Sequence, residues 1–241
     1  MENKAYSYAN TTIGINEGLR QYMLKVYNFM AAGLCLTAIT AYLVANTPML
    51  KLFFVMTPTG QFGLSALGWV ALIAPLIMVF AFNWVLIRGN SSQVQTLFWC
   101  YAAVMGISLT PILLAYTGTS IARVFLITAG TFGAMSLYGY TTKRDLSGMG
   151  SFMIMGLFGI IIAMIVNIFL KSSGLDYALS LLAIVIFIGL TAYDTQKIRN
   201  IYMDGDSSDV ATKKAVSGAL SLYMDFINMF LYLMRFLGDR R

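Results

Sequence analysis

Ser221, Asp225, Asn228, Tyr232 and Arg235 fall 4, 3, 4 and 3 residues apart in the stretch SLYMDFINMFLYLMRFLG. At 3.6 residues per turn, that spacing sets all five on one narrow stripe of a helix. The other faces are Leu, Met, Phe and Ile, so the stretch reads as a membrane-spanning helix with a polar seam. Inside lipid, such a seam turns toward other helices or water. The last helix is therefore expected in the middle of a bundle. A carboxylate there costs about 2.5–3.5 kcal/mol on insertion scales, which makes Asp225 the first functional suspect.

Asp194, in GLTAYDTQKIR, is the second carboxylate inside an apolar run. Asp145, Asp176, Asp204, Asp206, Asp209 and Asp239 sit at or beyond the ends of such runs, where a solvated surface role is the default. Asp194 lies about one turn from the end of its run, and Asp225 about 12–16 Å into the next one at 1.5 Å per residue. The two helices are adjacent and antiparallel, so both acids occupy the same half of the membrane. Their depths differ, and tilt or a kink is expected to be needed to bring them together. Like charges at hydrogen-bond distance cannot both ionise cheaply, so a meeting pair would share a proton. The same oxygen-rich groups are hard ligands suited to Ca²⁺. Protons would then compete with the cation or with a basic partner. The blander reading is that Asp225 is packing glue and Asp194 reaches the interface.

Arg88 closes an apolar run on the same side as both acids. It is a candidate latch by salt bridge, or an ordinary interfacial anchor. Arg235 shares the seam with Asp225 but lies about 15 Å further along it. Asn228, one turn from Asp225, offers a ligand oxygen or an interhelical hydrogen bond. Asn83 and Asn167 read as interhelical hydrogen-bonding groups.

These residues need a scaffold, and the composition supplies it. Of 241 residues 59% are hydrophobic and only 11% charged, with mean hydropathy +0.74; a soluble domain would carry about 25% charged residues. Seven apolar runs, near 22–46, 62–87, 93–116, 120–141, 151–171, 176–198 and 214–238, each approach the roughly 20 residues that cross a bilayer. The fold class is thus all-α: a polytopic membrane protein with seven transmembrane helices. Residues 1–20 read as a flexible polar tail and 21–241 as a single membrane domain.

Pro48 and Pro58 bracket a first loop holding the short apolar piece LKLFFVM, expected in the interface. Pro75 and Pro111 fall inside spans, where kinks are tolerated. The larger share of the 16 Lys and Arg falls on the loops that share a side with the N-terminus. By the positive-inside rule, the N-terminus is cytoplasmic and the C-terminus outside. Ala129–Gly133 and Gly159–Ala163 have the spacing of close helix contacts.

Several chemistries are excluded or disfavoured. With no histidine, Ser-His-Asp and Cys-His catalysis and His-ligated zinc are ruled out. Cys35 and Cys100 lie in apolar runs without CxxC spacing and are expected to be small buried hydrophobes. The basic residues form no patch, which disfavours nucleic acid despite a net charge of +6. An intramembrane aspartyl protease would need a dyad at the bilayer centre, and Asp194 is too near the edge. The chain is not expected to be an enzyme.

The seam SLYMDFINMFLYLMRFLG, the preceding TAYDTQKI, the loop YGYTTKRDLSGMG and GISLTPI together resemble the Bax inhibitor family of transmembrane proteins, most closely its bacterial inner-membrane members. The resemblance spans about residues 20–238. It implies a seven-helix fold with the last helix central and a pH-dependent calcium leak. It also implies that Asp194 and Asp225 form a proton-sharing pair that senses pH, latched by Arg88 when closed, and that Arg235 matches a basic residue of the last helix. Some members carry a glutamate in span two, where this chain is apolar around Ile77. The lysine-rich C-terminal tail of animal members is replaced by GDRR, so roles in the endoplasmic reticulum or with apoptosis partners are not implied. The expected interactors are the lipid bilayer, calcium and protons, with no bound cofactor. The rival expectation is a regulatory membrane protein that binds a membrane protease or translocation machinery without transporting anything.

Overall fold

A computed structural model describes the backbone of residues 2–56 and 62–241, and the side chains of residues 17–55 and 63–241. Pro58 and most of the tail expected over residues 1–20 lie outside the side chains described. The elements run α1 (Glu2–Asn46), α2 (Leu50–Phe53), β1 (Phe54–Met56), β2 (Phe62–Leu64), α3 (Ala66–Arg88), α4 (Ser91–Ala115), α5 (Gly118–Thr141), α6 (Ser147–Leu170), α7 (Ser173–Asn200) and α8 (Ser208–Leu237). Seven helices among the described residues are long and apolar enough to cross a membrane, the first of them over Glu17–Asn46. The piece LKLFFVM forms α2 and β1, and β1 pairs antiparallel with β2. Pro75 and Pro111 sit within α3 and α4, both of which continue through them.

Local chemistry sets the helix ends. Thr117, Ser172 and Ser207 accept hydrogen bonds from backbone N–H groups three residues on, at the starts of α5, α7 and α8, satisfying donors that a helix start leaves orphaned. Asn90 and Gln93 form a reciprocal capping box at α4. α6 ends on Lys171 in the left-handed region, φ 50°. Asn167 braces this turn by accepting from the Ser172 N–H and donating to its carbonyl, so its work is local and not the bundle contact expected of it. Before α6, the Ser147 hydroxyl and then its N–H, which donates to Asp145 Oδ1 at 2.9 Å, hold this exposed carboxyl below its usual range.

The last helix is the centre of the bundle. α8 packs on α1, α4, α5 and α7, and 67% of its membrane stretch is buried, against 6% for α6. Lipid-facing side chains are apolar to an extent no aqueous surface would tolerate: Phe169 is 82% exposed and Phe80 78%. The same environment corrects the expectation for Cys35 and Cys100. Both are exposed, because in lipid an apolar residue faces outward as readily as inward.

Two further expectations are corrected. A Cβ built on Gly133 or Gly159 meets nothing within 4 Å, so these glycines are not points of close helix contact. Close approach happens instead at Gly139 and Gly150, where an added Cβ would collide with the Ala192 carbonyl oxygen and with the Tyr193 ring. Spacing alone does not say which face of a helix has a neighbour. The connection expected between the runs 176–198 and 214–238 is also shorter, because α8 begins at Ser208 and carries Lys213 and Lys214 within its first turns.

Candidate functional site

That early start resolves the depth mismatch between the two acids. A Cβ on Gly218 would lie 3.0 Å from Ile198, and Lys214 reaches back to the Ile201 carbonyl at 3.0 Å and to Asp206 at 2.6 Å. The first turns of α8 therefore stand beyond the end of α7. With Ile198 level with Gly218, Asp194 and Asp225 differ in depth by only about 4.5 Å at 1.5 Å per residue. No kink is required.

The carboxyl groups of Asp194 and Asp225 come within hydrogen-bonding reach across the α7–α8 interface. Asp225 is 5% exposed, and its Oδ2 has no hydrogen-bond partner among the described residues. Asp194 is half-buried. Lys197, one turn on, brings a positive charge near Asp194, and its ammonium lies 5.9 Å from the Tyr193 ring centroid. A buried carboxyl oxygen without a donor is an expensive arrangement. Chemically, the pair can hold a shared proton or offer oxygens to a hard cation.

The rest of the seam follows the same interface in part. Tyr232 stacks on Phe187 with ring centroids 6.0 Å apart, and its hydroxyl lies 3.7 Å from Met164 Sδ. Arg235 forms an ion pair with Asp176 in the first turn of α7. This gives Asp176 a protein partner in place of the solvated surface role expected for it. Ser221 and Asn228 are half-buried. The seam thus carries its acid pair and its ion pair about ten residues apart, some 15 Å along α8.

Arg88 is not brought to the acids. It is exposed at the end of α3, its guanidinium lies 5.6 Å from the Trp84 ring centroid, and no ion pair among the described residues includes it. The reason is the packing order: α3 lies on α4, at the periphery of the bundle that α8 centres.

Residues missed by sequence reasoning surround the pair. Thr195 beside Asp194 is bonded to Ser136 of α5 at 3.0 Å, and Ser136 to the Tyr27 hydroxyl of α1 at 2.5 Å. Gln196 accepts from the Leu146 N–H and donates to the Arg144 carbonyl, while Arg199 donates to the Tyr140 and Thr142 carbonyls. Together they fasten the acid-bearing end of α7 to the α5–α6 turn. The signal for Gln196 and Arg199 was their polarity at a span end, which also describes an ordinary interfacial residue.

A family model described as "Inhibitor of apoptosis-promoting Bax1" matches residues 19–241. The chain is 44% identical over 227 residues to the inner membrane protein YbhL of Escherichia coli strain K12, covering 93% of this chain and 94% of that protein. It is 50% identical over 226 residues to an uncharacterized protein, RP147, of Rickettsia prowazekii, covering 94% of this chain and 92% of the relative. An uncharacterized protein of Borreliella burgdorferi is 43% identical over 222 residues, 92% and 93% of the two chains.

Proposed function

This chain belongs to the Bax inhibitor family, and from that premise we propose that it is a pH-sensitive, calcium-permeable leak gated by Asp194 and Asp225. It is an integral membrane protein, and its similarity to YbhL favours a bacterial inner membrane. The observation that carries the gating reading is the approach of the two carboxyl groups across α7–α8, with one buried oxygen of Asp225 lacking a donor among the described residues.

In the deprotonated state the pair is a concentrated negative charge. It attracts a divalent cation, and it attracts a guanidinium. Protonation removes both attractions together, so a proton decides whether the cation or Arg88 can engage. Two carboxylates supply at most four oxygens, fewer than the six to eight that Ca²⁺ takes. An ion there keeps part of its water shell and is passed on, not stored. Arg88 acts as the latch of the closed state by moving from Trp84 to the deprotonated pair.

The test is Ca²⁺ entry into vesicles carrying the purified protein, read with a trapped indicator across a pH series. Asp194→Asn and Asp225→Asn should each flatten the pH dependence. Arg88→Gln should raise flux at alkaline pH, where the latch would otherwise engage. Wild-type pH profiles in both aspartate variants would remove the gate.

A further inference from the structure

Beside the α3–α4 turn lies a cleft of about 580 Å³. Its lining is graded. At the helix ends it presents Arg88, Asn90, Ser92 and Gln93; a turn or two deeper it presents Trp84, Leu97 and Cys100. Trp84 stands one turn from Arg88 on α3, and Cys100 two turns from Ser92 on α4.

The donors at the mouth are unspent. The Arg88 guanidinium is steadied against the Trp84 face and belongs to no ion pair among the described residues. The capping box uses the side-chain oxygens of Asn90 and Gln93, leaving their NH₂ groups without an acceptor among the described residues. The Ser92 hydroxyl is in the same state. No carboxylate among the described residues lines the cleft. Beside it, Asp209 accepts from the Ser91 N–H at 2.8 Å, and Lys213 donates to the Gly89 carbonyl at 2.9 Å. Their charges offset each other, and Arg88 sets the sign of the mouth.

From this grading we infer that the cleft binds an anionic phospholipid of the adjoining leaflet. Its phosphate sits on Arg88 and the neighbouring donors, and its glycerol and first acyl carbons lie against Trp84 and Leu97. A basic mouth at headgroup level above an apolar floor between two helices is the chemistry that recognises such lipids. A neutral zwitterionic lipid fits the floor equally well but gains less at the guanidinium, so the preference is for charge. The site does not rest on the gating reading, although it shares Arg88 with it. If both hold, lipid phosphate and the acid pair compete for the same guanidinium.

Trp84 is its own reporter. The fluorescence lost between wild type and Trp84→Phe isolates its signal without disturbing Trp69 or Trp99. Protein in phosphatidylcholine vesicles is given a minor fraction of brominated phosphatidylglycerol or, in parallel, of brominated phosphatidylcholine. The Trp84 signal should be quenched more by the anionic lipid, with about fivefold tighter apparent association, the equivalent of about 1 kcal/mol per basic residue near the surface. Arg88→Gln should abolish the difference and Arg88→Lys should retain part of it. Inorganic phosphate in the buffer should not relieve the quenching. Equal quenching by the two lipids in wild type, a preference that survives Arg88→Gln, or relief by inorganic phosphate would each overturn the assignment.

Discussion

Asp225 meets Asp194 across the α7–α8 interface, and its Oδ2 is buried with no hydrogen-bond donor among the described residues. When neither acid holds a proton, two like charges and an unsatisfied oxygen share one site. Asp225→Asn removes one charge and supplies an NH₂ that can donate to Asp194. The variant should therefore unfold at a higher temperature than wild type at alkaline pH, by the equivalent of about 1–3 kcal/mol. As pH falls the wild-type pair takes up a proton and makes its own hydrogen bond, so the advantage should shrink. Thermal unfolding in detergent at two pH values is the measurement. A lower melting temperature for the variant at alkaline pH would contradict this account of the pair.

Gly150 and Gly159 offer a paired test of how α6 is held. A methyl group at Gly150 would enter the Tyr193 ring at 2.4 Å, whereas one at Gly159 meets nothing within 4 Å. Gly150→Ala should destabilise by about 1–3 kcal/mol, the usual consequence of overpacking, and should disturb the residue next to Asp194. Gly159→Ala should be neutral or stabilising by up to about 1 kcal/mol, from helix propensity alone. Equal effects of the two substitutions, measured by unfolding in mixed micelles, would show that α6 does not pack as described.

The contrast between these glycines marks where sequence reading stops. Hydropathy and length define a span almost by themselves, because the bilayer imposes both, and seven spans and a central α8 were legible for that reason. The Asp225 seam was legible because polar residues in lipid must face protein. Neighbour relations were not. Which helix lies beside α3 decides where Arg88 goes, and nothing in the α3 sequence records that α4 intervenes. Gly133 and Gly159 have contact spacing but no contact. The overhang of α8, which brings Asp225 level with Asp194, follows from Ser207 capping a helix whose first turns carry Ser208, Asp209, Lys213 and Lys214. Those residues looked like loop because they are polar.

Arg235 and Asp176 clasp the opposite end of the α7–α8 seam. Their side chains are 44% and 35% exposed, so water screens the pair. A double-mutant cycle with Arg235→Gln and Asp176→Asn should give a coupling energy below about 1 kcal/mol, as exposed ion pairs do. Added salt should weaken it. A salt-independent coupling above about 2 kcal/mol would show instead that the pair is sealed from solvent in the folded protein.

Tyr27, Ser136 and Thr195 tie α1, α5 and α7 together through two side-chain hydrogen bonds, and Thr195 is anchored in turn on the Thr191 carbonyl at 2.8 Å. Ser136 is the only one of the three that belongs to both inter-residue bonds. Tyr27→Phe breaks one of them and leaves Ser136 bonded to Thr195, at a cost of about 0.6–1.7 kcal/mol, the range for hydrogen bonds between membrane helices. Ser136→Ala breaks both and should cost more. Because Tyr27→Phe then has no bond left to remove, the double variant should be no less stable than Ser136→Ala alone, a non-additivity expected of residues that act as one network. Unfolding of the four proteins in detergent mixtures measures all three differences. Strictly additive losses would show that the hydroxyls contribute separately, and that the link between α1 and the helix carrying Asp194 runs through apolar packing alone.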